Sequence, residues 1–194
     1  MWDDVYNAEH YVYGSEPNEF LRAHSANLPQ GRVLCIGDGE GRNSVYLARQ
    51  GYQVTAVDLS AVGIAKAKKL AAQYGVNVDY IQADLADFSF GNKQWDGIVS
   101  IFCHLPAALR KRVHQQVIDS LKPGGVFLLE GYTPRQLQFG TGGPKAVEML
   151  LDKDEVASEL AALNILHLQA LDRQVIEGVK HTGTGAVLQL LAQK

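Results

Sequence analysis

Cysteine is nearly missing from this chain, with Cys35 and Cys103 the only two in 194 residues. So sparse a pair excludes a disulfide framework and a cysteine-rich metal site, and both read as reduced thiols packed inside apolar, strand-like runs. No apolar stretch nears the roughly 20 residues a bilayer span requires. The opening Met1-Trp2-Asp3-Asp4 has neither the basic nor the apolar region of a secretory leader, so a soluble, cytoplasmic protein without a membrane partner is expected. Basic residues are outnumbered, 18 Lys and Arg against 21 Asp and Glu, for a formal net charge of -3. That balance gives no general electrostatic reason to expect nucleic acid as a partner. Internal repeats, heptads and low-complexity tracts are also lacking, and no metal is expected. What remains is a chain with 46% hydrophobic residues, long enough for one sizeable core and short for two. The expectation is a single domain over residues 1–194, in which 1–30 form an aromatic-rich helical segment or lid and 31–194 the sheet core. Monomer and homodimer both remain open.

From Arg32 onward, short apolar runs alternate with helix-like segments. Strands are expected at 32–36, 53–57, 77–83, 95–103 and 126–130, the last entered through Lys122-Pro123-Gly124-Gly125. Helices are expected from Asn43, from a cap at Ser60, and near Pro106 with an apolar line of Leu109, Val113, Val117 and Leu121. The alternation implies right-handed βαβ units in a mostly parallel, doubly wound α/β sheet with helices on both faces. After a glycine- and proline-rich loop over 133–144, a helix is expected over 152–163. Strand-like runs at 165–176 and 186–192, joined by a turn with Gly178 and Gly183, then predict a closing hairpin with one antiparallel strand.

The first turn, Val33-Leu34-Cys35-Ile36-Gly37-Asp38-Gly39-Glu40-Gly41-Arg42-Asn43, is where the fold should meet a ligand. Its glycines permit positive φ and remove the side chains that would hold a ligand away from the backbone. The spacing is G-x-G-x-G, with Arg42 where the dinucleotide fingerprint places its last glycine, which weakens a pyrophosphate reading. Asp58, at the end of the second strand, can accept hydrogen bonds from a ribose diol.

With Val57-Asp58-Leu59-Ser60, Ala83-Asp84-Leu85, Trp95-Asp96-Gly97-Ile98-Val99-Ser100 and Leu121-Lys122-Pro123-Gly124-Gly125 in this order, the chain resembles the class I S-adenosylmethionine-dependent methyltransferases. Gly41-Arg42-Asn43-Ser44-Val45-Tyr46-Leu47-Ala48 and the N-terminal Tyr13-Gly14-Ser15-Glu16-Pro17-Asn18 are most similar to the small bacterial branch related to tellurite-resistance and thiopurine methyltransferases. The resemblance implies a Rossmann-like seven-stranded sheet with an antiparallel C-terminal hairpin strand. It implies S-adenosyl-L-methionine as cofactor, along Gly37, Asp38, Gly39, Glu40, Gly41 and Asn43. It continues the site past Asp58 and Leu59, with Asp84 near the adenine amino group beside Leu85, and on to Ile101. Many members carry an acidic residue two places before the first glycine, where this chain has Cys35. Asp38 and Glu40 then either supply the negative charge for the cofactor's ammonium or face water.

Candidates for the chemistry should lie over the carboxyl ends of the strands. His104 either touches cofactor or acceptor or caps the next helix. His181 is placed in the turn before the final strand, either positioning an anion or simply exposed. The tellurite-methylating branch carries an arginine after this histidine, and Thr182 stands there. Trp2, Tyr6, Tyr11, Tyr13 and Phe20 either fold over the cleft as a lid or strap the flank of the sheet. Arg135 and the loop 140–144 either form the acceptor's rim or a surface connector. The expected function is methyl transfer by in-line displacement to a small-molecule acceptor, such as a thiol or a chalcogen oxyanion like tellurite. The alternatives are a non-catalytic S-adenosylmethionine-binding module and a nucleotide-dependent oxidoreductase.

Overall fold

The structure is a computed structural model that describes residues 2–194. Seven strands form one sheet in the order β3-β2-β1-β4-β5-β7-β6. β1 (Arg32–Ile36), β2 (Gln53–Asp58), β3 (Asp79–Gln82), β4 (Trp95–Ile101) and β5 (Leu121–Tyr132) run parallel to one another. β7 (His181–Gln193) runs antiparallel to both β5 and the edge strand β6 (Asn164–Glu177). Two short helices, α1 (Trp2–Tyr6) and α2 (Glu19–His24), precede the sheet. α3 (Arg42–Arg49), α4 (Ala61–Gln73), α5 (Ala107–Ser120) and α6 (Lys153–Glu159) connect the strands. This is the Rossmann-like, mostly parallel architecture the sequence predicts, hairpin included.

The strands read as unbroken apolar runs because both faces of the sheet are covered. Alternation sends Leu34 and Ile36 to the face packed with Val113 and Val117 of α5, and Val33 and Cys35 to the face packed with Leu21 and Leu47. Helix starts follow their caps. Ser60 Oγ accepts the Gly63 N–H at 3.0 Å, and Asp152 accepts from the backbone of Asp154 and Glu155, each such cap contributing about 1 kcal/mol.

α5 and α6 are tied by a closed charge cluster. Arg110 donates to Glu155 at 2.7 Å, to Glu159 at 2.9 Å and to the Leu150 carbonyl at 3.3 Å. His114 Nδ1 lies 2.6 Å from Glu159. Burial alone would raise the Glu159 carboxyl, but the hydrogen bonds from His114 and Arg110 bring it down to about 2.

Four expectations need correction. β4 ends at Ile101 instead of continuing to Cys103, because Phe102 takes a left-handed φ of 50° and turns the chain away from the sheet. Cys103 is therefore a loop residue. β5 starts at Leu121, opposite Trp95, and the Lys122–Gly125 turn is an irregularity within the pairing. α6 stops at Glu159, although Leu160 and Leu163 are buried as expected. β7 begins at His181, because Thr182-Gly183-Thr184-Gly185 pairs with residues 173–176 of β6 despite its turn-like composition. The reversal is thus confined to 178–180, and its tip lies on the N-terminal segment, where Val179 N–H donates to the Val12 carbonyl at 3.0 Å.

Candidate active site

β1 ends in the glycine turn, where Gly37, Gly39 and Gly41 all have left-handed φ, at 61°, 60° and 90°. Packing adds a second requirement. A Cβ on Gly37 would lie 2.6 Å from Cys103 Sγ, and one on Gly39 2.5 Å from Tyr6 Oη. Gly41 serves a different purpose from the one expected. It does not line the cavity described below; its missing side chain lets α3 approach α4, since a Cβ there would meet Ala67 at 2.6 Å.

Asp38 and Glu40 neither face water nor stand free. Asp38 accepts from Ser44 Oγ at 2.5 Å and Ser44 N–H at 3.2 Å, which fixes the start of α3. Burial, followed by the charge of Asp58, pushes its carboxyl up to about 6. Glu40 lies 2.5 Å from Lys66 Nζ and accepts the Tyr13 N–H at 3.2 Å. The same Lys66 amine donates to the carbonyls of Tyr6, Ala8 and His10, at 3.3, 2.9 and 2.6 Å, and so ties the N-terminal segment to α4. Asp58 accepts from Gly39 N–H and Ser60 N–H, both at 2.8 Å, and its carboxyl is raised by burial. Cys35 is buried in the core, with its thiol pushed well up by desolvation, and offers no acceptor here.

These groups open on a cavity of about 540 Å³, within the range of small-molecule sites. Gly37, Asp38, Gly39, Glu40 and Asn43 line it, as do Asp58, Leu59, Asp84, Leu85 and Ile101. The N-terminal segment contributes Trp2, Val5, Tyr6, Tyr13 and Gly14; Trp2 stacks on Tyr6, and Tyr6 meets Tyr13 edge-on. Gly142, Gly143, Pro144, Met149, Lys180 and His181 close the other side. Arg135 is not among these residues. It is exposed and held by Asp172 at 2.8 Å, so the rim is formed by loop 142–144 without it.

Both candidate histidines line the cavity. His104 does not cap α5, whose cap position is Pro106. Its Nε2 accepts the Tyr132 N–H at 2.8 Å and its ring stacks on that tyrosine, while burial holds the imidazole down to about 4. His181 is the first residue of β7 and is buried, not an exposed turn residue. Its ring packs against Tyr13, Phe102 and Tyr132. Burial, with the charge of Arg42, pushes it down to about 3, so both imidazoles are neutral at ordinary pH.

The sequence reading missed a buried charge cluster beside His181. Arg42 Nη2 donates to Glu177 Oε2 at 2.5 Å. Arg173 bridges Glu177 and Glu130. Asn18 Nδ2 donates to Glu130 and Glu177 at 2.9 and 2.8 Å, and Gln189 donates to Glu130 at 2.5 Å. Arg42 was visible as the residue that breaks the dinucleotide fingerprint, but its partner lies 135 positions away.

The set of carboxylate acceptors fits a cationic nucleoside. Asp38, Glu40, Asp58 and Asp84 gather at the glycine-turn end, with Leu59, Leu85 and Ile101 supplying apolar surface beside them.

Residues 33–125 match the family model for a methyltransferase domain. An uncharacterized methyltransferase of Synechocystis sp. is 32% identical over 168 residues, which cover 84% of this chain and 75% of that protein. The 2-heptyl-1-hydroxyquinolin-4(1H)-one methyltransferase of Mycobacteroides abscessus is 28% identical over 119 residues, covering 60% and 52%. TehB from Haemophilus influenzae shares the fold, with a TM-score of 0.73 at 19% identity over 91% of this chain and 61% of that one. The chain spans about half the length of the first curated relatives it matches. Glycine turn, acidic strand ends and relatives agree, and the chain belongs to the S-adenosylmethionine-dependent methyltransferases.

Proposed function

We propose that this chain methylates a small nucleophile, a thiol or a chalcogen oxyanion such as tellurite, with S-adenosylmethionine as donor. The observation that carries the reading is the single cavity in which the glycine turn and Asp58 face a roof of aromatic and neutral histidine side chains. In it, Asp58 holds the ribose, Leu59 and Leu85 flank the base near Asp84, and Gly37, Gly39 and Asn43 line the path of the amino-acid end. Asp38 and Glu40 supply negative charge from behind their own partners. The cofactor's contribution is a methyl group already activated on a sulfonium. The chain's share is positioning and exclusion of water, and positioning alone is worth roughly 7 to 11 kcal/mol.

Residues 1–194 act in this reading as one domain. Trp2, Tyr6 and Tyr13 are its lid, clamped by the Lys66 amine. His104 and His181 orient the acceptor and do not deprotonate it, because imidazoles held near 4 and 3 are poor bases at neutral pH. Such a site suits a soft acceptor that arrives ionised. The tellurite-related branch is supported by the Gly41–Ala48 and Tyr13–Asn18 motifs.

The test is incubation of the chain with methyl-labelled S-adenosylmethionine and a panel of thiols, selenite, tellurite and phenols. Label is expected in a thiol or an oxyanion product. Cofactor binding without transfer to any thiol or oxyanion would overturn the reading. A folded variant lacking residues 1–14 should bind the cofactor at least about tenfold more weakly, the scale of one lost set of buried contacts; unchanged binding would reject the lid.

A further inference from the structure

The carboxylates that line the cavity all stand on one side of it. Asp38, Glu40, Asp58 and Asp84 surround the glycine turn and the ends of β2 and β3. The opposite side, formed by Phe102, His104, the 142–144 loop, Met149, Lys180 and His181, has none. Arg42 reaches that side by its hydrogen bond to Glu177, the residue paired with His181 at the hairpin end.

In the cluster behind it Arg42 and Arg173 face Glu130 and Glu177, with the exposed Glu19 at its edge. Its hydrogen bonds are nearly complete. Arg173 uses all three nitrogens, on Glu130, Glu177, Glu19 and the Gln174 carbonyl. Glu130 accepts from Arg173, Asn18 and Gln189, and Glu177 from Arg42, Arg173 and Asn18. Arg42 Nη1 alone among the guanidinium nitrogens of this cluster is buried without a partner, on a residue that lines the cavity. A buried, unpaired guanidinium N–H costs free energy until a hydrogen-bond acceptor reaches it. Lys180 adds a second positive charge at the rim, exposed and in no ion pair among the described residues. His181, buried beside them, has an unpartnered Nδ1.

We propose that this side of the cavity docks a negatively charged group of the methyl acceptor on Arg42 and Lys180, so that preferred acceptors are small anions. The inference rests on the methyltransferase reading and narrows its substrate class. It separates the two ligands by charge, a cation over the carboxylates and an anion under Arg42. In a low-dielectric cavity each is attracted to its own end and repelled from the other. A carboxylate-bearing thiol and an inorganic oxyanion present the same chemistry to the guanidinium.

The test titrates 3-mercaptopropionate, 2-mercaptoethanol, cysteamine and selenite calorimetrically into the full chain saturated with S-adenosylhomocysteine, which fills the cofactor's own share of the cavity. The anionic thiol is expected to bind at least about tenfold more tightly than the neutral one, and the cationic one most weakly, on the scale of one charge-assisted contact. Selenite binding would identify the oxyanion as a sufficient ligand, and its failure beside a bound mercaptopropionate would assign the site to carboxylates. Lys180→Glu, at an exposed position, should cut the anion's affinity about tenfold and change the homocysteine product's affinity less than twofold. Arg42→Gln should abolish the preference.

Equal affinities for the three thiols would overturn the proposal. So would a preference that survives both substitutions, or one seen only before the cofactor product is added. The broader reading fails separately, if anions bind in this order and no methyl group is transferred.

Discussion

Two buried charge clusters are built from the same residue types and end differently. Between α5 and α6, Arg110 meets Glu155, Glu159 and the Leu150 carbonyl, and every guanidinium nitrogen has a partner. Beside the cavity, Arg42 meets Glu177 through Nη2 and leaves Nη1 buried without a partner. The first cluster is closed and lies where two helices must be held together. The second borders a ligand-sized space whose lining includes Arg42. Saturation of donors, more than burial or charge, separates the two clusters.

The largest expected effect breaks the closed cluster. Glu159→Ala leaves the Arg110 guanidinium with only the half-exposed Glu155 and one carbonyl, and should cost about 3 to 5 kcal/mol in urea unfolding. The folded fraction should bind S-adenosylmethionine as before; a loss of affinity would tie the two clusters together. Its acid dependence has a definite sign. The Glu159 carboxyl is lowered from 4.5 to about 2, so its stabilisation is full above about 4.5 and disappears as pH falls through about 2. Glu159→Gln should remove that dependence from the acid-unfolding profile.

Next in size is Lys66→Met, which frees three carbonyls and leaves Glu40 buried without its cation. Cofactor affinity should fall about tenfold or more, and limited proteolysis should begin to cut near residues 7–10. An intact N-terminal segment in this variant would show that aromatic packing alone holds it.

Asp38 offers a smaller and sharper effect. Its folded carboxyl sits near 6, so affinity for the cationic cofactor should decline as pH drops through about 6, and Asp38→Asn should flatten that decline. A profile identical in both proteins would remove Asp38 from the cofactor's electrostatics. Arg135→Ala, which removes an exposed pair with Asp172 and a contact over the Phe139 ring, should change neither unfolding midpoint nor methyl transfer.

The sequence made the parallel half of the sheet readable because its strands are buried on both faces and its turns are marked by glycine. The residues named for the glycine-turn wall of the cavity share that marking. Ten of the eleven residues expected there line the cavity, all but Gly41. The opposite wall was far less legible. His181 was placed in a turn because it lies between Gly178 and Gly183, and only pairing across to β6 makes 182–185 a strand. Arg42 acquires its meaning from Glu177, and Asn18 from Glu130 and Glu177. Contacts over such separations leave no periodicity to detect.

Phe102 has a consequence beyond ending β4. A bulky residue held at φ 50° stores on the order of 1 to 3 kcal/mol, and its ring is wedged against Tyr132 and His181. Its N–H is held by the Glu130 carbonyl at 2.7 Å, so a residue under backbone strain is pinned between the sheet and the cavity wall, and the cost of that strain is offset by the packing that shapes the cavity.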